Sequence, residues 1–146
     1  MKRIRVEGVN TKEMKDAWGS LGTAAPPEAE AAPKAGIVST LANFVKANND
    51  RNIDSVTACY SKDAVVYDDG QIMRGTDEIR QWIAGLFQKF QYVVTTTSVR
   101  GATNGAILTA TIIGNFPGGH VSLDYHCRTL GDKFEVMVIL PTSVAK

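Results

Sequence analysis

The chain has 146 residues, 44% of them hydrophobic and 21% charged, and its 16 basic and 15 acidic side chains leave a net charge of +1. This is the composition of one soluble globular domain, and it offers no basic stripe for a nucleic-acid backbone. The apolar runs are too short to cross a bilayer, and the N-terminus has no hydrophobic signal region. We therefore expect a cytoplasmic protein that binds neither nucleic acids nor membranes.

The two cysteines, Cys59 and Cys127, do not form a metal-binding motif. Neither lies in a CxxC pair or near a histidine at the spacing of metal ligands. The chain also lacks a glycine-rich phosphate loop, since the turn at Pro117-Gly118-Gly119 is not followed by a helix. We expect two buried thiols, and neither a metal ion nor another cofactor.

The first 33 residues differ in composition from the rest of the chain. The segment from Gly22 to Pro33 is rich in Ala, Pro and Glu and has no large apolar side chain to bury, which is typical of a linker. The residues before it form either a loose tail or an arm in which Val6 and Trp18 dock on a partner subunit or cover a pocket. The sequence therefore predicts an N-terminal arm and linker over 1–33 and a folded domain over 34–146.

Three helical segments follow the linker. The first begins near Ala35, and a second, short helix starts after Asn52, a typical N-cap residue. The third follows Gly75, with Thr76 as its expected cap. In the first helix, one face of the predicted helical spacing is formed by Ile37, Leu41, Phe44, Val45 and Asn48. The third helix has a broader apolar face, formed by Ile79, Trp82, Ile83, Leu86, Phe87 and Phe90.

The remaining segments are predicted strands joined by tight turns. Asp68-Asp69-Gly70 is a hairpin turn between two short strands, Ala64–Tyr67 and Gln71–Arg74. After the third helix, four long strands are separated by Asn-Gly, Pro-Gly-Gly and Gly-Asp turns. Because consecutive strands with short turns form a meander, the sequence predicts an α+β fold in which three helices pack on a curved antiparallel sheet around a largely apolar pocket.

Three motifs occur in this order along the chain: Tyr60–Asp68, Arg74–Ile79 and Leu130–Phe134. Their order and spacing resemble the nuclear transport factor 2-like superfamily, specifically its SnoaL-like branch, over about Lys34 to Leu140. The resemblance implies a cone-shaped α+β barrel that encloses a cavity, and a homodimer formed through the outer face of the sheet. Relatives include ketosteroid isomerases, polyketide cyclases, epoxide hydrolases, dehydratases and binding modules, so the fold alone does not decide the function.

Asp68 is the first candidate for a catalytic residue. Its place at the end of the first strand resembles that of the catalytic base in ketosteroid isomerases. Burial beside an apolar cavity raises the pKa of a carboxyl toward a range that suits a general base. The alternative is structural, because an Asp-Asp-Gly sequence is typical of turns in which Asp side chains bond the local backbone. The sequence is compatible with both interpretations.

The other functional positions of ketosteroid isomerases match this chain only in part. Their oxyanion-stabilising tyrosine falls at Phe44, which cannot donate a hydrogen bond, whereas Tyr60 falls at an auxiliary aromatic position. Asp124 aligns with their second, protonated acid, but a shift of one residue brings Tyr125 there, and adjacent strand residues face opposite sides. Apolar and polar residues alternate along this strand, which favours Tyr125 toward the cavity and Asp124 away from it.

These arguments define the candidate site. The candidate catalytic residues are Asp68, Tyr60 and Asp124. The candidate substrate-binding residues are Phe44, Trp82, Phe87, Phe116 and Tyr125. Neither His120 nor His126 has the partners of a hydrolase triad, and Arg100 and Arg128 have no assignable place in the Asp-Arg-Asp constellation of an epoxide hydrolase.

Three hypotheses for the function follow. The first is an isomerase- or cyclase-like enzyme that uses an Asp general base on a hydrophobic small molecule. The second is a non-catalytic module of the same fold that binds a ligand or a partner protein. The third is a structural dimer whose cavity is filled by side chains.

Overall fold

The computed structural model describes residues 29–30 and 34–142. Its helices are α1 (Ala35–Asn49), α2 (Ile53–Thr57) and α3 (Gly75–Lys89). Its strands are β1 (Ala29–Glu30), β2 (Tyr60–Asp68), β3 (Gln71–Arg74), β4 (Tyr92–Ala102), β5 (Gly105–Gly114), β6 (His120–Leu130) and β7 (Lys133–Pro141). The predictions about Val6 and Trp18 lie outside the described residues. Of the predicted linker, only β1 and its pairing with β4 are described.

The helix starts follow the local sequence, with one difference. The Asn52 side chain caps α2 as predicted, accepting a 3.1 Å hydrogen bond from the Ser55 amide. Thr76 does not cap α3, because the helix begins one residue earlier, at Gly75. Instead, the Glu78 carboxylate accepts a 2.9 Å hydrogen bond from the Arg74 amide, and its charge complements the positive end of the helix.

The sheet is mixed and open, with the strand order β1-β4-β5-β6-β7-β2-β3. All pairings are antiparallel, as predicted, except that β2 lies parallel to β7. A short turn forces two strands to run in opposite directions, but β2 reaches β7 only after a helix and four strands have intervened. No turn therefore constrains this pair. The sheet does not close into the cone-shaped barrel that the family resemblance implies, since β1 and β3 end it among the described residues.

The Asp68-Asp69-Gly70 hairpin forms as predicted and sets the direction of the Asp68 side chain. Asp69 and Gly70 have φ values of 51° and 79°, and Asp68 pairs with Gln71 across the turn. This is the left-handed geometry of a two-residue hairpin turn. Because side chains alternate along β2, Val66 joins the core beneath the helices, and Asp68 projects on the same side.

The two faces of the sheet bury different sets of side chains. The helices cover the inner face, where the main core includes Leu41 of α1, Ile79 of α3 and Leu108 of β5. The outer face carries a second, smaller cluster formed by Val65, Tyr67, Val136 and Val138. None of the helices in residues 34–142 is long and apolar enough to cross a membrane.

Candidate functional site

A cavity lies between the helices and the inner face of the sheet. Its polar lining residues are Asn48, Tyr60, Asp68, Trp82, Tyr92 and Tyr125. Its apolar lining residues are Phe44, Val56, Ile83, Leu86, Phe90, Ile112, Phe116, Leu123 and Ile139. The cavity has a volume of about 40 Å³. Since one water needs about 10–15 Å³ on this measure, the cavity suits a ligand of a few heavy atoms.

Among the described residues that line the cavity, Asp68 is the only charged one. It is 8% exposed, and its Oδ1 has no hydrogen-bond partner among the described residues. Burial in the apolar cavity, reinforced by the neighbouring Asp69 carboxylate, raises its pKa to about 7, while a hydrogen-bond interaction with the Trp82 indole opposes the shift. At neutral pH, both protonation states of the carboxyl are therefore populated, as a proton-transferring group requires.

Three tyrosines surround the carboxyl, and they differ in what their hydroxyls do. Burial raises the pKa of all three, and the charge of Asp68 adds to the shift at each. The Tyr60 hydroxyl donates to Sδ of Met137 at 3.4 Å. The Tyr92 hydroxyl donates to Oδ1 of Asn48 at 3.3 Å. The Tyr125 hydroxyl makes no hydrogen bond among the described residues, so its proton is available to a ligand.

The aromatic wall is built around Phe44 of α1. Its ring meets those of Tyr60, Tyr125 and Phe134 edge to face, with centroid distances of 6.3, 5.7 and 5.4 Å. This arrangement brings the positive ring edges against the negative faces and is favourable beyond the buried area alone. Phe44, which cannot donate a hydrogen bond, therefore contributes packing to the wall and contacts the Tyr125 ring.

Two predicted residues lie outside the cavity. Asp124 points to the outer face, where its Oδ1 accepts hydrogen bonds from Thr109 at 2.7 Å and Thr142 at 3.0 Å. Strand alternation explains this, since Tyr125 occupies the inner position. Phe87 is buried but does not line the cavity. Its ring packs 6.0 Å from that of Tyr92 and beneath the Arg51 guanidinium, at 5.0 Å.

Asn48 and Tyr92 line the cavity but were not predicted from the sequence. Asn48 is 8% exposed, and its Nδ2 donates to the Phe44 carbonyl oxygen at 2.9 Å while its Oδ1 accepts from Tyr92. A signal for Asn48 was present, because it is the one polar side chain on the predicted inner face of the first helix. Tyr92 offered no such signal, since a tyrosine at the start of a strand is common in any β-rich fold.

Arg51 fixes the end of α3 beside this wall. Its guanidinium donates hydrogen bonds to the carbonyl oxygens of Phe87 and, at 3.0 Å, Phe90. A cation at this position also complements the negative end of the helix dipole. Arg51 itself is not part of the cavity lining, so it does not neutralise Asp68.

A family model describing the SnoaL-like domain matches residues 41–129. The chain belongs to the SnoaL-like family. The match covers β2, α3, the hairpin at Asp69-Gly70 and most of the meander, and therefore most of the residues that build the cavity. No curated protein matches the chain significantly. Within residues 34–142, no group of His, Cys, Asp and Glu side chains could hold a metal ion.

Several solved structures share the fold of this SnoaL-like domain. A candidate polyketide cyclase from Sinorhizobium meliloti is 23% identical, with a TM-score of 0.66 over 69% of this chain and 93% of the other. A protein with a ketosteroid isomerase-like fold from Catenulispora acidiphila, in complex with trimethylamine, is 19% identical, with a TM-score of 0.65 over 70% and 85%. An epoxide hydrolase from M. tuberculosis is 12% identical, with a TM-score of 0.63 over 73% and 83%. At these identities the likeness shows the fold alone.

Proposed function

We propose that this SnoaL-like domain is a small isomerase- or cyclase-like enzyme in which Asp68 acts as general base on a hydrophobic small molecule. The observation that carries the proposal is a single buried carboxyl, with a pKa of about 7, in an aromatic cavity. Such a group binds and releases a proton near neutral pH. The substrate would carry an acidic C–H bond next to a carbonyl group, and the cavity volume favours a small one.

The proposed reaction assigns separate roles to Asp68 and Tyr125. The Asp68 carboxylate takes the proton from carbon, the C–H electron pair becomes the C=C bond of an enolate, and the carbonyl π pair moves to oxygen. The free Tyr125 hydroxyl donates a hydrogen bond to that oxygen, which stabilises the developing charge. If the substrate has a C=C bond at the β,γ position, the enolate is a dienolate, and the carboxylic acid of Asp68 returns the proton to the γ carbon while the C=C bond moves to the α,β position. Trp82 orients the carboxyl throughout.

The two other predicted catalytic residues, Tyr60 and Asp124, do not transfer a proton in this proposal. Tyr60 directs its hydroxyl to Met137, so it contributes shape to the wall rather than a proton. Asp124 is held on the outer face by Thr109 and Thr142 and has no role at the cavity. The structures of a candidate cyclase and an epoxide hydrolase with this fold support an enzyme in general terms.

The exchange of α-hydrogens for deuterium tests proton transfer without knowledge of the true substrate. We would incubate a panel of small ketones with the protein in D₂O and follow exchange by NMR. Asp68→Asn should lower the exchange rate by about 10²–10⁴-fold, the usual contribution of a general base. Asp69→Asn is the matched control, because Asp69 is exposed in the turn and Asn tolerates its left-handed backbone. Equal rates for the wild type and Asp68→Asn would refute the enzyme proposal.

The second candidate function is a non-catalytic binding module. It is favoured by the absence of a second acid or a base from the cavity lining, and the trimethylamine complex of the Catenulispora protein supports a small ligand in this fold. In that case some ketones of the panel would bind to the protein, but their α-hydrogens would not exchange for deuterium with either the wild type or Asp68→Asn. The third hypothesis, a cavity filled by side chains, predicts neither binding nor exchange.

We also propose a homodimer formed through the outer face of the sheet, in the cytoplasm. Val93 and Ile113 pair directly on β4 and β5, and their side chains are 54% and 53% exposed. Two free thiols, Cys59 and Cys127, suit a reducing compartment. Ile113→Arg should convert a dimer to a monomer in sedimentation equilibrium, whereas Val38→Arg on the helical side should not. A wild type that is monomeric would contradict this proposal.

A further inference from the structure

The cavity combines a negative charge with an unusual absence of positive charge. Of the lining residues in the described part of the chain, Asp68 is the only one with a carboxyl, and none is Lys, Arg or His. The carboxyl is 8% exposed and its Oδ1 has no partner among the described residues. A buried carboxylate is stable only if a partner compensates its lost hydration. Arg51, whose guanidinium lies over the ring of the lining residue Tyr92, is outside the lining and bonds to the end of α3.

The rest of the wall is suited to a cation. Aromatic rings line the cavity at Phe44, Tyr60, Trp82, Phe90, Tyr92, Phe116 and Tyr125. Ring faces carry negative electrostatic potential and attract cations, and such aromatic enclosures are the usual recognition site for alkylated ammonium groups. A neutral apolar ligand would gain from burial against these rings but would leave the ionised carboxyl with only the Trp82 indole as a partner and Oδ1 with none.

Size and hydrogen-bond capacity narrow the class of cation. A volume that suits a few heavy atoms fits an ammonium ion with short alkyl substituents. A primary ammonium or a guanidinium has three to five N–H donors, and this wall offers a single carboxyl as a strong acceptor. The remaining donors would be buried without partners, at a cost of about 1–3 kcal/mol each. A tertiary ammonium has one N–H donor and three alkyl groups, which match one carboxyl and an apolar wall.

We infer that the cavity binds small tertiary alkylammonium cations, with the N–H group on the Asp68 carboxylate and the alkyl groups against the aromatic rings. The inference rests on the proposed role of the cavity as a ligand site and is independent of proton transfer. If the protein is an enzyme, these cations are competitive inhibitors or mimic a positively charged part of the substrate. If it is a binding module, they represent its ligand class.

Calorimetric titration with trimethylammonium chloride at pH 8 tests the inference. 2-Methyl-2-propanol serves as a neutral molecule of similar size, and methylammonium serves as the primary amine. Trimethylammonium should bind at least 10-fold more tightly than either. Asp68→Asn should lower its affinity at least 10-fold and leave that of the alcohol unchanged, while Asp69→Asn should retain both. Two-dimensional amide NMR establishes that each variant is folded.

A proton balance provides a second measurement. Because the cation favours the ionised carboxyl, binding at pH 6.5 should release a proton from Asp68, visible as a dependence of the observed heat on the ionisation heat of the buffer. Below pH 7 the affinity should fall up to 10-fold per pH unit. Equal affinities for cation and alcohol, no effect of Asp68→Asn, or no binding at all would each overturn the inference. If one of these results is obtained but Asp68→Asn still abolishes hydrogen exchange, the inference about cations fails and the enzyme proposal stands. The failure of the inference and the failure of the enzyme proposal are therefore distinguishable.

Discussion

The Tyr92 hydroxyl donates a 3.3 Å hydrogen bond to Oδ1 of Asn48 and thereby joins β4 to α1 at the wall of the cavity. Asn48 is in turn fixed to its own helix by the bond from Nδ2 to the Phe44 carbonyl oxygen. The amide therefore has a partner on each side, as a buried polar group requires. The pair holds one side of the cavity without offering its hydroxyl proton to a ligand.

The first prediction concerns this bond. Tyr92→Phe leaves Oδ1 of Asn48 buried without a donor, so the free energy of unfolding should fall by about 1–3 kcal/mol. Tyr125→Phe is the matched control, because the Tyr125 hydroxyl has no hydrogen bond to lose among the described residues. Urea denaturation of both variants measures the difference. The prediction is wrong if Tyr125→Phe is the more destabilising of the two.

The second prediction concerns the role of the Tyr125 hydroxyl in catalysis. If Tyr125 supplies the hydrogen bond to the enolate oxygen, Tyr125→Phe should lower the deuterium-exchange rate by about 10²-fold, as the loss of one oxyanion donor does. Tyr60→Phe should have a smaller effect, because that hydroxyl is directed to Met137. A larger loss of rate for Tyr60→Phe than for Tyr125→Phe would assign the donor to Tyr60 instead.

The third prediction concerns pH and stability. The pKa of Asp68 is about 7 in the folded protein and about 3.8 as a reference, so the folded state binds the proton more tightly. The free energy of unfolding, relative to Asp68→Asn, should therefore rise as pH falls from about 7 to about 4 and level off outside that window. The full difference is at most about 4 kcal/mol, since one pKa unit corresponds to about 1.4 kcal/mol.

The comparison with Asp68→Asn is needed because His126 acts in the opposite sense. Burial lowers the pKa of this histidine, so its protonation at acid pH destabilises the folded state in both proteins. Since His126 contributes equally to both proteins, its contribution cancels when the free energy of unfolding of Asp68→Asn is subtracted from that of the wild type. Thermal or urea denaturation at several pH values measures it, and a difference that stays constant from pH 4 to pH 8 would contradict the raised pKa.

The fourth prediction concerns Gly105. A Cβ atom there would lie 1.8 Å from the Cys127 carbonyl oxygen, and that backbone cannot move without displacing β6. Gly105→Ala should therefore cost about 3 kcal/mol or more, at the upper end of overpacking effects. Gly85→Ala is the control, because Gly85 lies in α3 with open space around its Cα and should gain up to about 1 kcal/mol. Equal stabilities of the two variants would contradict this account.

Much of the fold and part of the site were predictable from local pattern. The helices α1 and α3, the turn at Asp69-Gly70 and the strand meander follow from periodicity and turn chemistry, which act within a few residues. The family resemblance identified Asp68 as a candidate, while apolar periodicity and strand alternation pointed to Trp82 and Tyr125 of the aromatic wall. Tyr92 was missed because its pairing with Asn48 joins positions 44 residues apart, and no local pattern indicates which strand will pack against which turn of a helix. Asn48 was missed although its place on the inner face of the first helix was a signal.

The sequence by itself determined the α+β class, the family resemblance and a carboxyl at the end of the first hairpin strand. Only the tertiary structure decided that β2 lies parallel to β7, and that Tyr125 faces the cavity while Asp124 faces away. It also showed why Gly105 follows the turn, which is the close approach of β6 rather than a special φ. These findings share one physical reason. Alternation along a strand determines which side chains share a face, but which of the two faces meets the core, and which strand lies alongside, depends on packing between distant segments.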